Sequence, residues 1–343
     1  MMRVFITGTA GFIGYHLADS LLRSGAVVHG YDGMTDYYDV ALKRARHDKL
    51  ARHPGFTATE GLLEDAVTLE TAMASSAPDV VVHLAAQAGV RYSIENPRAY
   101  LDANIVGSFN VLQAALDQRA GHLLMASTSS VYGANDEMPY RETQKADTQM
   151  SFYAATKKAA EAMCHSWAHI HGMPITMFRF FTVYGPWGRP DMALFKFTDA
   201  ILAERPIDVY NHGRMYRDFT YVDDLVRGIR GLINVPPPTP DARAGAGAKY
   251  IAIPGDSLSP VAPYRIVNIG NSSRVLLDDF ITEIEAATGK TAQRNFMPMQ
   301  QGDVPATWAD AALLEALTGY RPQTDIATGV ARFVDWFRDY YRR

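Results

Sequence analysis

The sequence predicts an α/β fold: a doubly wound parallel sheet covered by helices on both faces. Three observations predict it. A glycine-rich turn joins an opening strand to a helix. Short β-branched, apolar runs alternate with helical stretches from residue 3 to residue 180. A hydroxyl cluster then leads to a Tyr and a Lys spaced by one helical turn. Ligands of such sheets sit outside the carboxyl ends of the strands.

Composition sets the bounds. The chain has 343 residues, 48% of them apolar and 20% charged, the balance of an ordinary globular protein. Net charge is −4, with Lys and Arg spread along the chain, which argues against nucleic acid or a membrane surface as partner. No apolar run is long enough to span a membrane. Met1-Met2-Arg3 leads straight into Val4-Phe5-Ile6, without room for a signal peptide. The single cysteine, Cys164, excludes an intramolecular disulfide and a Cys-cluster zinc site, so no metal is expected. It reads as a small core residue, and the cytoplasm is the expected compartment.

Arg3-Val4-Phe5-Ile6-Thr7 reads as a buried strand. Gly8-Thr9-Ala10-Gly11-Phe12-Ile13-Gly14 follows, then a helix with Leu17, Leu21 and Leu22. The spacing G-x-x-G-x-x-G differs by one residue from G-x-G-x-x-G but keeps its logic. Glycines allow a tight turn and close approach of a diphosphate to backbone N–H groups, and the helix N-terminus adds positive partial charge. This is the Rossmann-type arrangement for a dinucleotide. A second strand, Ala26 to Tyr31, ends at Asp32, close to the ~20-residue interval for a ribose-binding acid. A carboxylate there bonds the 2′-hydroxyl and repels a 2′-phosphate, so NAD is expected rather than NADP. Asp36 to Lys49 is polar and reads as a helical lid over the adenosine side.

Asp79 to Ala86 reads as a further buried strand whose small terminal residues let a flat cofactor cross its end. Asn96-Pro97 marks a helix start. That helix is expected to run to about Leu116 with Asn104 in its middle, either bonding backbone across the core or joining an active-site network. His122 to Ala126 is the strand that delivers Ser127-Thr128-Ser129-Ser130. Phe152 to His171 lacks Gly and Pro and reads as a helix, with Tyr153 and Lys157 on one face. An ammonium beside a phenol favours the phenolate and should pull the tyrosine below its ordinary pKa of about 10. That makes Tyr153 a general base, and Thr128 is placed to orient the same substrate oxygen.

The order G-x-x-G-x-x-G, H-L-A-A-Q, S-T-S-S-V-Y-G, Y-x-x-x-K and R-D-F-T-Y-V-D-D resembles the extended short-chain dehydrogenase/reductase superfamily. Within it, Ala85 to Ser93 (A-A-Q-A-G-V-R-Y-S) and Arg179 to Met192 (R-F-F-T-V-Y-G-P-W-G-R-P-D-M) resemble the UDP-glucuronate 4-epimerases. The resemblance implies Thr128, Tyr153 and Lys157 as catalytic residues. It implies NAD held by Gly8, Gly11, Phe12, Ile13, Gly14, Asp32, Leu63, Ala85, Ala86, Gln87 and Asn104, with Tyr153 and Lys157. It implies a UDP-sugar held by Arg91, Thr128, Thr182, Arg189, Val209, Asn211, Arg217 and Asp303. Arg189, between Gly188 and Pro190, is expected on a stiff exposed loop, facing the hexuronate carboxylate with Thr182 beside it. The reaction implied is C4 epimerisation through a 4-keto sugar. The same reaction on UDP-glucose is the closest rival, and it leaves Arg189 and Thr182 without a carboxylate. Related dehydratases and decarboxylases carry acidic residues where Ser129 and Ser130 stand, and a non-enzymatic scaffold would lack the Tyr or Lys.

Two positions depart from the superfamily pattern. Leu62 stands where an Asp usually holds the adenine amino group, and Gly33 where Asn usually follows the ribose-binding acid. Both predict a weakened adenosine end. Domain limits follow from the same resemblance. Residues 1–180 form the NAD-binding domain, with 212–235 and 264–270 returning to it. Residues 181–211 and 271–343 form the sugar-nucleotide domain, and 236–263, rich in Pro, Ala and Gly, is a surface loop. The last helix, around Gly329 to Tyr341, is assigned to packing. A homodimer is implied through helices 97–116 and 152–171, the second carrying Ala159, Ala160, Met163 and Trp167.

Overall fold

The computed structural model describes residues 1–247, 252–299 and 304–342. Six strands of the larger sheet come early: β1 (Arg3–Thr7), β2 (Val27–Asp32), β3 (Phe56–Glu60), β4 (Val80–His83), β5 (His122–Thr128) and β6 (Ile175–Phe180). The strand Tyr264–Ile269 adds beside β6, giving a seven-stranded sheet ordered 264–269, β6, β5, β4, β1, β2, β3. Every pairing is parallel. Chain order reverses at β1, which pairs with β2 on one side and β4 on the other. Outgoing connections diverge there, so a crevice opens over the carboxyl ends of the strands.

The strands are apolar because both faces are covered. Val4 and Ile6 join one core with Leu17 and Leu21 of the helix Phe12–Arg23 and Leu225 and Ile229 of the helix Val222–Ile233. Phe5, one residue out of phase, joins the opposite core with Val111, Leu112 and Cys164. Cys164 is fully buried, and burial pushes its thiol up, as suits a packing residue. A third core, with Phe219, Phe280, Ile284, Phe333 and Phe337, belongs to the C-terminal unit. There the strand Tyr216–Tyr221 pairs with Thr182–Tyr184, Arg274–Leu276 and Ala306–Thr307, and Ile207–Tyr210 pairs with Arg294–Met297.

Local structure differs from the sequence expectations in four places. The strand expected over 79–86 stops at His83, because the Leu84 and Ala85 N–H groups turn to the Thr7 hydroxyl, 3.1 Å away in each case. The helix expected over 97–116 is α-helical over Pro97–Tyr100 and Gly107–Asp117, with a π-helical segment at Leu101–Val106 between them. Asn104 lies in that segment. Its side chain accepts from Gln87 N–H at 2.9 Å and donates to the Gln87 carbonyl and the Thr156 hydroxyl at 3.0 Å. The polar stretch 36–49 is a turn up to Asp39 and a helix over Val40–Leu50, with the Asp39 carboxylate capping Ala41 N–H at 2.9 Å. The loop 236–263 contains a short helix, Pro240–Ala246, capped by Thr239.

Candidate active site

Gly8 begins the site. It has φ +82°, and a Cβ there would stand 2.8 Å from Ala85 N. A Cβ on Gly14 would stand 2.0 Å from the Gly8 carbonyl. Both positions therefore require glycine for the turn to close between β1 and the helix. Gly11 caps that helix without a side-chain acceptor, so its first N–H groups face the crevice. Asp32 is held at the end of β2 by N–H groups from Ala10 and Met34, each 2.9 Å from a carboxylate oxygen. These features line a cavity of about 610 Å³, together with Phe12, Ile13, Leu63, Ala85, Ala86, Gln87, Thr128, Tyr153 and Lys157. An uncapped helix start for a diphosphate and a carboxylate for a ribose suit a dinucleotide. Asn104 lies behind this wall, positioning Gln87 and the Tyr–Lys helix.

A second cavity, of about 640 Å³, is lined by Arg91, Thr182, Arg189 and Arg217. Thr128, Tyr153 and Arg189 line both cavities, so the two form one cleft with the tyrosine at the junction. Val209 is fully buried, and Asp208 and Tyr210 on either side of it face the cavity instead. Asn211 turns away, its amide donating to the Arg214 carbonyl at 2.9 Å. Asp303 lies outside the described residues.

Three elements converge on the junction. Strand β5 ends at Thr128, whose hydroxyl accepts from Ser130 N–H at 3.2 Å. The helix Phe152–His171, capped by Ser151, presents Tyr153 and Lys157. Lys157 donates to the Ala126 carbonyl at 3.0 Å. Electrostatics here correct the sequence expectation. Burial raises the Tyr153 pKa, and a Thr128 hydrogen bond and the Arg189 charge only partly oppose it. Burial also pushes Lys157 down to about 8. Desolvation is the largest cause of both shifts, since each side chain gives up water on the same helix face.

Arg189 is half-buried and not on an exposed loop. Its Nε donates to one Asp191 oxygen at 3.0 Å and its Nη2 to the other, and Tyr37 reaches the same carboxylate at 3.4 Å. Burial opposes the Arg189 charge, and Asp191 more than restores it, raising its pKa. Nη1 carries neither of these bonds. Thr182 stands on the short strand that pairs with Phe219.

Some supporting residues were not identified from the sequence. Arg46 is fully buried in a stretch read as polar. Its Nη1 donates to the Ala10 carbonyl at 2.8 Å and its Nη2 to the Trp187 carbonyl at 2.6 Å. It thus fastens the glycine turn to the loop that carries Arg189. Below Lys157, Glu161 binds Arg179 through two bonds of 2.9 and 2.8 Å and accepts from Ser127 at 2.6 Å. A charge inside the apolar strand Ile175 to Phe180 was the available signal, because a buried guanidinium needs a partner. Among the described residues no group of three His, Cys, Asp or Glu side chains forms a metal cage, and no helix is long and apolar enough to cross a membrane.

Comparison with known proteins agrees with this geometry. Residues 4–239 match the model of the NAD dependent epimerase/dehydratase family. A Rhizobium meliloti (strain 1021) protein described as "Probable UDP-glucuronate 4-epimerase" is 55% identical over 342 residues, covering 100% of this chain and 98% of that one. The UDP-glucuronic acid 4-epimerase of Bacillus cereus, solved with UDP-glucuronic acid and NAD, superposes with a TM-score of 0.85 at 29% identity, covering 99% and 100% of the two chains. A UDP-glucose 4-epimerase of Thermotoga maritima, solved with UDP-glucose, gives 0.83 at 25% identity, covering 99% and 100%. The backbone is therefore shared by enzymes of different sugars, and the family rests on sequence and fold together: the chain belongs to the NAD dependent epimerase/dehydratase family.

Proposed function

We propose that the chain interconverts UDP-glucuronate and UDP-galacturonate at C4, using NAD. The observation that carries this reading is Arg189, which lines the same cleft as Thr182 and Tyr153 and keeps Nη1 outside its pair with Asp191. UDP-glucose offers no carboxylate to employ them. The relative that is 55% identical bears the same activity in its name. NAD supplies reversible hydride acceptance at C4, so no net redox follows. Tyr153 takes the O4 proton and later returns it, Thr128 orients that oxygen, and Lys157 fixes the charge balance beside the phenol. Arg217 and Arg91 face the diphosphate end. The 4-keto sugar would turn about its diphosphate and present its other face to the cofactor held by the glycine turn and Asp32, and Tyr153 would return the proton to O4.

The 4-keto uronate is a β-keto acid and loses CO₂ when the breaking bond aligns with the carbonyl π system. Arg189 and Thr182 hold the carboxylate out of that alignment. Because Asp191 already takes two guanidinium donors, the substrate is met through Nη1. Arg189→Ala is expected to weaken UDP-glucuronate binding by roughly 10- to 150-fold, the usual range for a charge-assisted hydrogen bond, and to leave UDP-glucose nearly unchanged. A pentose product also becomes detectable by mass. Equal losses for both sugars contradict the carboxylate role and return the site to a generic UDP-hexose epimerase.

A second copy of the chain is the proposed partner. Leu101, Val106, Phe109 and Phe152 are exposed on the two neighbouring helices, and Phe109 meets the half-buried Trp167 edge-on at 5.7 Å. Ala160, counted from sequence on this face, is buried in the core, while Met163 and Trp167 stand at its margin. So large an apolar face calls for a partner. Light scattering at micromolar concentration is expected to give a dimer, and a monomer contradicts it.

A further inference from the structure

Beyond Asp32 the first cavity continues over Gly33, Gly61, Leu62, Leu63 and Glu64. Leu62 is 44% exposed, an apolar side chain at the rim of a polar cleft. A Cβ on Gly33 would come within 2.8 Å of its Cδ2. The two departures noted in the sequence are therefore one feature: the Leu62 methyl fills the space that a side chain at 33 would use.

Most acceptors nearby are engaged. The Leu62 carbonyl takes the Tyr31 hydroxyl at 2.9 Å and Asp65 N–H at 3.2 Å, and the Leu63 carbonyl takes the Asn110 amide at 2.9 Å. Asp32 holds two N–H groups, and Asp102 is bound to Arg98 at 2.8 Å. Glu64 is exposed to water. A base lying past the ribose acid thus meets methyl groups where reading an exocyclic amino group needs an acceptor. A site built around such a bond rejects analogues that lack it by large factors, and apolar contact does not.

We propose that Leu62 is a specificity-determining residue of the cofactor site: it reads the purine by apolar contact, so the site accepts a hypoxanthine dinucleotide about as well as NAD. The proposal rests on the reading that this cleft holds NAD. Two dinucleotides whose purines carry an amino or an oxo group at position 6, with N1 changing from acceptor to N–H alongside, test it by direct binding. Protein freed of bound nucleotide is titrated calorimetrically with NAD and with nicotinamide hypoxanthine dinucleotide, for wild type and for Leu62→Asp. The side chain is at the surface, so the variant is expected to fold. Wild type is expected to bind the two within about threefold. Leu62→Asp is expected to favour NAD by roughly tenfold or more, as a carboxylate begins to accept the amino group. A wild-type preference for NAD above tenfold overturns the proposal, as does a Leu62→Asp ratio equal to that of wild type. Failure of both dinucleotides to bind removes the NAD reading itself, and the proposal with it.

Discussion

Replacing Tyr153 with Phe is expected to lower turnover by roughly 10²–10⁴, the range for losing a positioned general base, with NAD still bound. The variant removes one oxygen at the junction of the two cavities and leaves the ring in place. Ring packing is supported from Tyr100, whose centroid lies 5.9 Å away in an edge-to-face contact, so the local fold survives. Burial raises the Tyr153 pKa, and Thr128 and Arg189 are the protein groups that oppose the rise. A comparison of turnover and of bound NAD in wild type and variant checks this. Wild-type turnover in the variant contradicts the assignment of the base.

Glu161→Ala is expected to destabilise the fold by about 3–5 kcal/mol, the cost of leaving a buried charge without its partner. Glu161 and Arg179 side chains are each only 2% exposed and bind each other through both carboxylate oxygens. Removing the acid strands the guanidinium under the hydroxyl cluster, where Arg179 Nη1 already lacks a partner. Burial opposes the Glu161 charge, but Arg179 and Ser127 outweigh it and hold the pKa below the ordinary carboxylate value. A carboxyl depressed in the folded state contributes its stability above the unfolded pKa and loses it as pH falls through the folded one. The wild type is therefore expected to lose this contribution in acid, and the variant to have no such dependence left to lose. Urea unfolding midpoints at neutral and acid pH check this, and a variant that unfolds at the wild-type midpoint contradicts it.

What the sequence made legible were local features. The glycine turn follows from steric demands within seven residues, and Tyr153 and Lys157 share a helix face because helical spacing dictates it. Alternation of strands and helices led to the parallel sheet, since crossovers of that length admit few other arrangements. The rest depended on contacts between residues far apart in sequence. Arg46 meets Trp187, and Tyr37 meets Asp191, only when the helix Val40–Leu50 lies against the loop at 185–191. Asp191 follows Arg189 by two residues, yet its side chain folds back along the guanidinium, which no spacing rule states. The π-helical segment at Leu101–Val106 carries the Asn104 bonds to Gln87 and Thr156, which helical periodicity does not state. The bond from the Lys157 ammonium to the Ala126 carbonyl on β5 is a further contact that helical spacing does not state.

A single incubation tests C4 epimerisation by its product. Purified protein with NAD and UDP-glucuronate is separated chromatographically over time, with absorbance followed for NADH. UDP-galacturonate is expected to rise to an equilibrium mixture, approached equally from UDP-galacturonate, with no net NADH and no release of CO₂. Accumulation of a pentose or a dehydrated sugar, or turnover of UDP-glucose alone, would contradict it.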